Sequence, residues 1–251
     1  MKLTFLGTGN AANVPAYGCS CTVCSKANID LSYQRHSACA LIETEQVTLL
    51  IDAGLPELGK RFPPGSIKTI LLTHYHMDHV QGLFPMRWGT GLSIDVIGPD
   101  DPKGCDDLYK HSGIFNFSTK AQPFQEMFFG QLKITPVPLQ HSRPTLGYVV
   151  EDGQKCLAYL TDTVGLPEAT EAYLKNKNVD LLIVDCSYPP QQGVPKGHND
   201  LNTALKSIES VRPERAYLTH IGHLLDSWFL ENPVQLPENV AIARDNLVIE
   251  L

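Results

Sequence analysis

The sequence predicts an α/β fold in which two mixed β-sheets pack face to face, with helices on the outside. Short apolar segments rich in Val, Ile, Leu and Thr recur along the chain and are bounded by Gly, Pro or Asp, as is typical of strands. The first half is mostly strand after strand, whereas the second half alternates strands with helical segments. Two mixed sheets accommodate both patterns.

The individual elements follow from these boundaries. The predicted strands cover residues 3–6, 37–43, 47–51, 69–72, 94–97, 132–138, 146–151, 155–160, 181–185, 215–219 and 247–251. The predicted helices cover residues 56–61, 80–88, 167–176 and 202–210, and Asp200 or Asn202 is expected to cap the last of them.

Composition limits the class of protein. The 251 residues, 43% hydrophobic and 19% charged, predict a single globular domain over residues 1–251. The net charge of −7 and the lack of a basic run argue against a nucleic-acid partner. No apolar run reaches the roughly 18 residues of a membrane span, so no membrane partner is expected. Without an export signal, the seven cysteines predict reduced thiols and a cytoplasmic location. The oligomeric state stays open, a homodimer included.

A dense group of ionisable residues follows the predicted strand 69–72. The segment THYHMDH places His74, His76, Asp78 and His79 within six positions. Polar residues at the C-terminal end of a buried strand lie at the sheet edge where sites form in α/β folds. Imidazole and carboxylate together suit zinc, manganese or iron. The pattern therefore predicts a metal site rather than a solvated surface turn.

Further candidate ligands close apolar strands elsewhere. His141, Asp162 and His220 each follow such a strand. Any one of them alone is better explained as a loop histidine or a helix cap. Together with the histidine cluster they complete two sets of ligands, and Asp162 has two carboxylate oxygens with which to bridge them. Asp52, at the end of another strand, is predicted to orient a ligand histidine by hydrogen bonding.

The cysteines predict a second metal site. In the segment GCSCTVC, Cys19, Cys21 and Cys24 have C-x-C-x2-C spacing, so three thiolates can meet one zinc. His223, three residues after His220, is the candidate fourth ligand. The alternative is a reduced, metal-free cysteine loop.

The segment THYHMDHVQG resembles the H-x-H-x-D-H signature of the metallo-β-lactamase superfamily, and QHS, LTDT and LTHIGH follow in that superfamily's order. The resemblance implies a four-layer αβ/βα sandwich with a dinuclear metal site between the sheets. It assigns one metal to His74, His76 and His141, the other to Asp78, His79 and His220, and the bridging position to Asp162. All seven positions match.

Within that superfamily, the segments FLGTGNAANVPAYGC, HSRPTLGY and KGHNDLNT are similar to the phosphodiesterase branch. This similarity places Ser142, Arg143 and Thr145 near a substrate phosphate. It makes His198 a catalytic residue beside Asp78, either protonating the leaving oxygen or holding a phosphoryl oxygen. The proline-rich segment 188–195 is expected to form part of the pocket wall.

The runs THYHMDHVQGLFPMRWG, GCDDLYKH, DCSYPP and DLNT resemble the PhnP family, the phosphodiesterases of the carbon–phosphorus lyase pathway, over essentially the whole chain. That resemblance implies two active-site divalent ions, expected to be Mn²⁺ with Zn²⁺ also compatible. It implies a structural Zn²⁺ on Cys19, Cys21, Cys24 and His223. The implied substrate is a small anionic phosphodiester, 5-phospho-α-D-ribosyl 1,2-cyclic phosphate, opened to ribose 1,5-bisphosphate in phosphonate catabolism.

Other activities of the superfamily remain as alternatives. A tRNA 3′-processing endonuclease is disfavoured because no inserted arm for clamping tRNA and no basic block are evident. A thiolester hydrolase is disfavoured by His198 and by the phosphodiesterase-like loops. A non-catalytic metal-binding scaffold would be expected to lack a ligand, and none of the seven is missing.

Overall fold

The computed structural model describes residues 1–193 and 195–251. Val194, within the segment 188–195 expected to line the pocket, lies outside the described residues. In the part of the chain that the structure describes, no helix has the length and apolar character needed to cross a membrane.

The strands form two mixed sheets. In the first sheet the order is β15-β1-β2-β3-β4-β5-β6, with β7 also paired to β5. Its strands are β1 (Lys2–Gly7), β2 (Cys39–Glu43), β3 (Thr48–Ile51), β4 (Thr69–Leu71), β5 (Ile94–Pro99), β6 (Phe115–Asn116), β7 (Lys120–Ala121) and β15 (Val248–Glu250). The pairs β3–β4, β4–β5, β5–β6 and β5–β7 are parallel. The pairs β15–β1, β1–β2 and β2–β3 are antiparallel.

The second sheet has the order β14-β13-β12-β11-β10-β9-β8. Its strands are β8 (Met127–Phe129), β9 (Leu132–Pro138), β10 (Leu146–Glu151), β11 (Cys156–Leu160), β12 (Leu181–Asp185), β13 (Arg215–Thr219) and β14 (Val240–Ile242). Strands β11 to β14 are parallel, whereas β8 to β11 pair antiparallel.

The helices complete the outer layers. They are α1 (Thr22–Ala27), α2 (Leu58–Arg61), α3 (Met77–Val80), α4 (Leu83–Met86), α5 (Asp106–Lys110), α6 (Glu168–Lys175), α7 (Leu201–Val211) and α8 (His223–Glu231), with a 3₁₀ turn at Leu31–Tyr33. Asp200 caps α7, because its Oδ1 accepts the Thr203 N–H at 2.9 Å.

Three apolar clusters define the layers. Side chains such as Phe5 and Tyr148 pack between the sheets. The neighbouring Val149 points to the other face of its sheet, as the two-residue period of a strand requires, and packs with Leu174 and Ile208 of α6 and α7. The third cluster joins α2 to α5 to the outer face of the first sheet. The predicted four-layer αβ/βα sandwich is thereby confirmed.

The prediction of one helix over residues 80–88 is wrong. The structure has α3, which ends at Val80, and α4, which begins at Leu83, with Gln81 and Gly82 between them. The Gly82 N–H donates to the Ala53 carbonyl at 2.8 Å, which draws the backbone toward the chain after β3 instead of continuing a helix. A Cβ at Gly82 would lie 2.3 Å from the Leu55 carbonyl oxygen, so the close approach requires glycine.

Candidate active site

The candidate ligands lie at strand ends that meet at one edge of the sandwich. Asp52 and His74 follow the parallel strands β3 and β4, and Asp162 and His220 follow the parallel strands β11 and β13. His141 follows β9, which runs in the same direction as β11 because both pair antiparallel with β10. The C-terminal ends of strands from both sheets therefore converge, as in other α/β sites.

The first cluster consists of His74, His76, His141 and Asp162. The His76 Nδ1 atom lies 2.9 Å from His74 Nε2 and 3.1 Å from His141 Nε2. Asp162 Oδ2 lies 3.5 Å from His74 Nε2 and 3.9 Å from His141 Nε2. Four potential ligand atoms thus surround one small volume.

The second cluster consists of Asp78, His79 and His220 with the same Asp162. The Asp78 Oδ2 atom lies 3.5 Å from the Nε2 atoms of both histidines. Asp162 approaches the same Nε2 atoms at 3.2 Å for His79 and 3.4 Å for His220. Asp162 is the residue common to both clusters, because its carboxylate lies between them.

These atoms fit divalent metal ions, which the fold implies. Two nitrogen ligands of one tetrahedral zinc lie about 3.3 Å apart, close to the separations in both clusters. The Nε2 atoms of His79 and His220 are buried and have no hydrogen-bond partner among the described residues. Buried polar atoms are normally paired, so a cation at this point would satisfy both.

Four of the ligand histidines are hydrogen-bonded through Nδ1, the ring nitrogen that does not face the clusters. His79 Nδ1 donates to Asp52 Oδ2 at 2.7 Å, and His141 Nδ1 donates to the Gly197 carbonyl at 2.7 Å. The same arrangement binds His220 Nδ1 to Ser187 Oγ at 2.9 Å and His74 Nδ1 to Thr73 Oγ1 at 3.0 Å. These bonds orient the rings and leave the Nε2 atoms facing the clusters.

His198 lies directly beside the two clusters. Its ring centroid is 4.7 Å from that of His220 and 5.0 Å from that of His141. The His198 Nδ1 atom bonds Asp185 Oδ2 at 2.9 Å, so its Nε2 is the nitrogen available to a ligand. Asp185 is itself fixed by the Thr163 N–H at 3.0 Å.

The electrostatic environment separates the histidines into two groups. Burial, together with neighbouring imidazoles, holds the pKa of His74, His76 and His141 below the usual range, so they are neutral and able to bind a metal. Burial acts in the same direction on His198, but the charges of Asp185 and Asp162 outweigh it and raise its pKa to about 9. The neighbouring carboxylates therefore favour the protonated form of His198.

The predicted cysteine site is also assembled. Ligand atoms of Cys19, Cys21, Cys24 and His223 all lie within 4.8 Å of one another. The His223 Nδ1 atom is 3.4 Å from Cys19 Sγ and 3.5 Å from Cys21 Sγ, which matches the roughly 3.5 Å between sulfur and nitrogen ligands of a tetrahedral zinc.

The thiols of this site differ in ionisation. Burial raises the pKa of Cys21, but hydrogen bonds from Ser227 and His223 outweigh it and lower the pKa to about 6. Burial and the neighbouring Cys21 and Cys19 raise the pKa of Cys24 to about 12. Adjacent thiolates repel each other, so a dication is what would allow all three to ionise together.

Arg143 is expected to lie near a substrate phosphate, and in the structure its guanidinium is bonded to three protein groups. Its Nε atom donates to Asp101 Oδ2 at 2.9 Å, Nη1 to the Tyr75 carbonyl at 2.9 Å, and Nη2 to the Gly104 carbonyl at 3.0 Å. Thr145 turns back to donate to the Arg143 carbonyl. Ser142 lies beside the first cluster, with its Oγ 3.5 Å from His76 Nε2.

Sequence reasoning missed the hydroxyls that support the ligands. Ser187 contacts His220, and Thr73 contacts both His74 and Asp52. Both hydroxyls lie within two residues of a strand-end aspartate or histidine, and this position could have suggested a supporting role. Nothing in the sequence itself distinguishes such a hydroxyl from one that faces solvent.

Comparison with known proteins identifies similar chains. The family model for the β-lactamase superfamily domain matches residues 48–221. A solved structure described as a new diphosphatase from the PhnP family superposes with a TM-score of 0.82 and 26% sequence identity, covering 100% of this chain and 97% of that one.

Two curated relatives differ in their described activities. The probable metallo-hydrolase YhfI of Bacillus subtilis (strain 168) is 25% identical over 200 residues, covering 73% of this chain and 79% of the relative. Ribonuclease Z of Methanopyrus kandleri is 28% identical over 160 residues, covering 60% of this chain and 50% of the relative. Similarity therefore extends across hydrolases with more than one kind of substrate.

Proposed function

This chain belongs to the metallo-β-lactamase superfamily, and we propose that within this family of hydrolases it is a phosphodiesterase of small cyclic phosphodiesters. The proposed substrate is 5-phospho-α-D-ribosyl 1,2-cyclic phosphate, opened to ribose 1,5-bisphosphate during phosphonate catabolism. The observation that carries the proposal is the position of His198, which Asp185 holds beside both ligand clusters. The similarity to a PhnP-family diphosphatase supports chemistry at phosphorus.

In this proposal the two clusters hold two divalent ions, with Mn²⁺ preferred and Zn²⁺ also compatible. His74, His76, His141 and Asp162 would hold one ion, and Asp78, His79, His220 and Asp162 the other. When bound, the ions supply Lewis-acid activation of water and of the phosphoryl group. Two divalent ions would carry a charge of +4, and the carboxylates of Asp78 and Asp162 contribute −2. The remaining charge of about +2 would attract an anionic diester despite the net charge of −7 on the chain.

The residues of the chain perform the remaining tasks. Asp52, Thr73, Ser187 and the Gly197 carbonyl hold the ligand histidines in orientation. His198, charged and fixed through Nδ1, donates from Nε2 to a phosphoryl oxygen and then to the leaving sugar oxygen. The oxygen of one water forms a new bond to phosphorus, and the bond between phosphorus and the leaving sugar oxygen breaks. The sugar oxygen takes up the proton from His198, and a proton released by the attacking water replaces it.

A second candidate reaction is hydrolysis of a diphosphate, favoured by the described activity of the similar PhnP-family structure. Both reactions place negative charge on phosphoryl oxygens, so the same residues serve either one. The two reactions differ in the leaving group. Cleavage of a phosphoanhydride releases phosphate, which needs less protonation by an acid than the sugar alkoxide released from a phosphodiester.

A substrate panel tests the proposal. Metal-loaded protein is assayed with a ribose 1,2-cyclic phosphate, a nucleoside diphosphate, a thiolester and a precursor tRNA at matched concentrations. We expect kcat/KM for the cyclic phosphodiester to exceed the others by about 100-fold or more, because transition-state contacts set this ratio. Faster turnover of the thiolester or of precursor tRNA would overturn the proposal. Preference for the diphosphate would select the second candidate.

The His198–Asp185 pair yields a separate prediction. His198→Ala is expected to lower kcat by about 10²- to 10⁴-fold, since it removes the acid. Asp185→Asn is expected to move the alkaline limb of the kcat profile to lower pH, because the carboxylate that raises the pKa of His198 is lost. A pH series on the cyclic phosphodiester measures both effects. An unchanged alkaline limb in Asp185→Asn would contradict this role.

A further inference from the structure

Carbonyls of the segment that carries the first two histidines are bonded from the opposite sheet. Tyr148 Oη donates to the Leu72 carbonyl at 2.6 Å, and the Leu146 N–H donates to the Thr73 carbonyl at 2.9 Å. Both donors belong to β10 of the second sheet, whereas the acceptors follow β4 of the first. Hydrogen bonds from the second sheet therefore hold the backbone of the two residues that precede His74.

Arg143 continues this series from the loop that follows His141. Its Nη1 atom donates to the carbonyl of Tyr75, the residue between His74 and His76. The guanidinium belongs to the chain that carries His141, so one side chain joins the backbones of two ligand-bearing segments. Those segments come from different sheets and meet at the 3.1 Å approach of His141 Nε2 to His76 Nδ1.

A third segment anchors the guanidinium. Asp101, which follows β5 and is only 4% exposed at its side chain, lies 2.8 Å from Arg143 Nη2 and accepts from Nε at 2.9 Å. The Gly104 carbonyl accepts from Nη2 at 3.0 Å. A planar guanidinium with donors on three nitrogens can satisfy acceptors in three directions, whereas an ammonium on a flexible stem cannot hold the same geometry.

This arrangement assigns Arg143 a task other than phosphate binding. All three nitrogens already have protein acceptors, and the side chain is 23% exposed. A substrate phosphate would have to compete with a buried carboxylate and two carbonyls. The same contacts suit a residue whose effect is on geometry.

We propose that Arg143 is a positioning residue that fixes the separation of His76 and His141, and thereby the affinity of the first ligand cluster for its metal. The proposal rests on the proposed function only in that this cluster holds a metal ion. Partners that orient ligands typically affect metal affinity or activity by about 10- to 100-fold.

The test compares Arg143→Lys with Asp101→Asn, which removes the charge from the anchor but keeps its shape. Metal-loaded protein is titrated with a chelator, and Mn²⁺ and Zn²⁺ retained per chain are counted by elemental analysis. We expect both variants to lose active-site metal at about 10- to 100-fold lower chelator concentration than the unaltered chain. The metal at the cysteine site should be retained, and KM should change far less than kcat.

Arg87→Lys is the matched control. Arg87 pairs with Asp107 at 2.6 Å in the adjoining α5. Among the residues that the structure describes, its side-chain hydrogen bonds go to Asp107 alone. It should retain metal like the unaltered chain. A thermal melt of each variant separates lost stability from lost metal affinity in the folded protein.

Two outcomes would overturn the proposal. Metal retention equal to the control with a large rise in KM in Arg143→Lys would make Arg143 a phosphate-binding residue. A lowered melting temperature with unchanged metal retention would make the contacts purely structural. Because metal retention is measured without substrate, a failure of the proposed phosphodiesterase activity would not be mistaken for either result.

Discussion

Replacing Asp162 with asparagine should reduce hydrolysis by about 10³-fold or more. Asp162 is 1% exposed, and its two oxygens approach His79 Nε2 and His220 Nε2 in one cluster while Oδ2 also faces His74 in the other. Asparagine keeps the shape but has one oxygen and no charge, so it cannot bridge two cations. Metal content and turnover, measured on the same preparation, check the prediction.

Asp180→Asn provides the matched control for this substitution. Asp180 precedes β12 and pairs with Lys155 at 2.6 Å, away from the ligand-bearing strand ends. We expect Asp180→Asn to retain metal and activity. An Asp162→Asn variant that keeps both active-site metals and turns over substrate within ten-fold of the unaltered chain would refute the bridging role.

Replacing Cys24 with serine should remove one metal ion per chain and lower the melting temperature by at least about 5 °C. Cys24 is fully buried beside Cys19, Cys21 and His223. Ligand loss at such a site removes binding energy that contributes to folding. Elemental analysis and a thermal melt measure the two effects.

The same variant should also weaken the active site. His223 begins α8 three residues after His220, and the intervening Gly222 packs so closely that a Cβ there would lie 2.5 Å from the Ser187 carbonyl oxygen. Ser187 in turn bonds His220 Nδ1. Cys105 is a partly exposed thiol outside the cysteine cluster, so Cys105→Ser serves as the control. It should leave metal content and stability unchanged. Full metal content in Cys24→Ser would contradict the zinc assignment.

Long strands were predictable because their signals are local. The bounds of β9, β10, β12 and β13 agree with the prediction, since each is mostly apolar or β-branched and is bounded by proline, glycine or polar residues. The short strands β6, β7, β8 and β14 were missed, because two or three residues carry little pattern and their pairing depends on the neighbouring strand.

Helix α8 was missed for a different reason. It begins at His223 after Gly222, and no side chain caps its N-terminus, so the usual start signal is missing. Helices α1 and α5 are likewise short, and neither has a side-chain cap. Tertiary packing, which the sequence pattern does not report, supplies most of the stability of such helices.

The site shows the same division between local and tertiary information. Residue type and strand-end position, taken together with the histidine cluster at 74–79, were enough to propose Asp162 and His220 as ligands, because strand ends meet at one edge of the sheet. The direction of Arg143 was not predictable, since being near His141 in sequence does not determine which way a side chain points. The hydrogen bond between Asp185 and His198 likewise depends on the end of β12 meeting the loop before α7.

The most direct test of the account is a count of metal ions beside activity. Protein purified without chelator is analysed for zinc and manganese per chain, and hydrolysis of ribose 1,2-cyclic phosphate is followed as exchangeable metal is removed and restored. We expect about three ions per chain, one tightly held and two exchangeable, with hydrolysis following the exchangeable pair. Hydrolysis that persists after the exchangeable ions are removed, or a chain that binds only one ion, would contradict it.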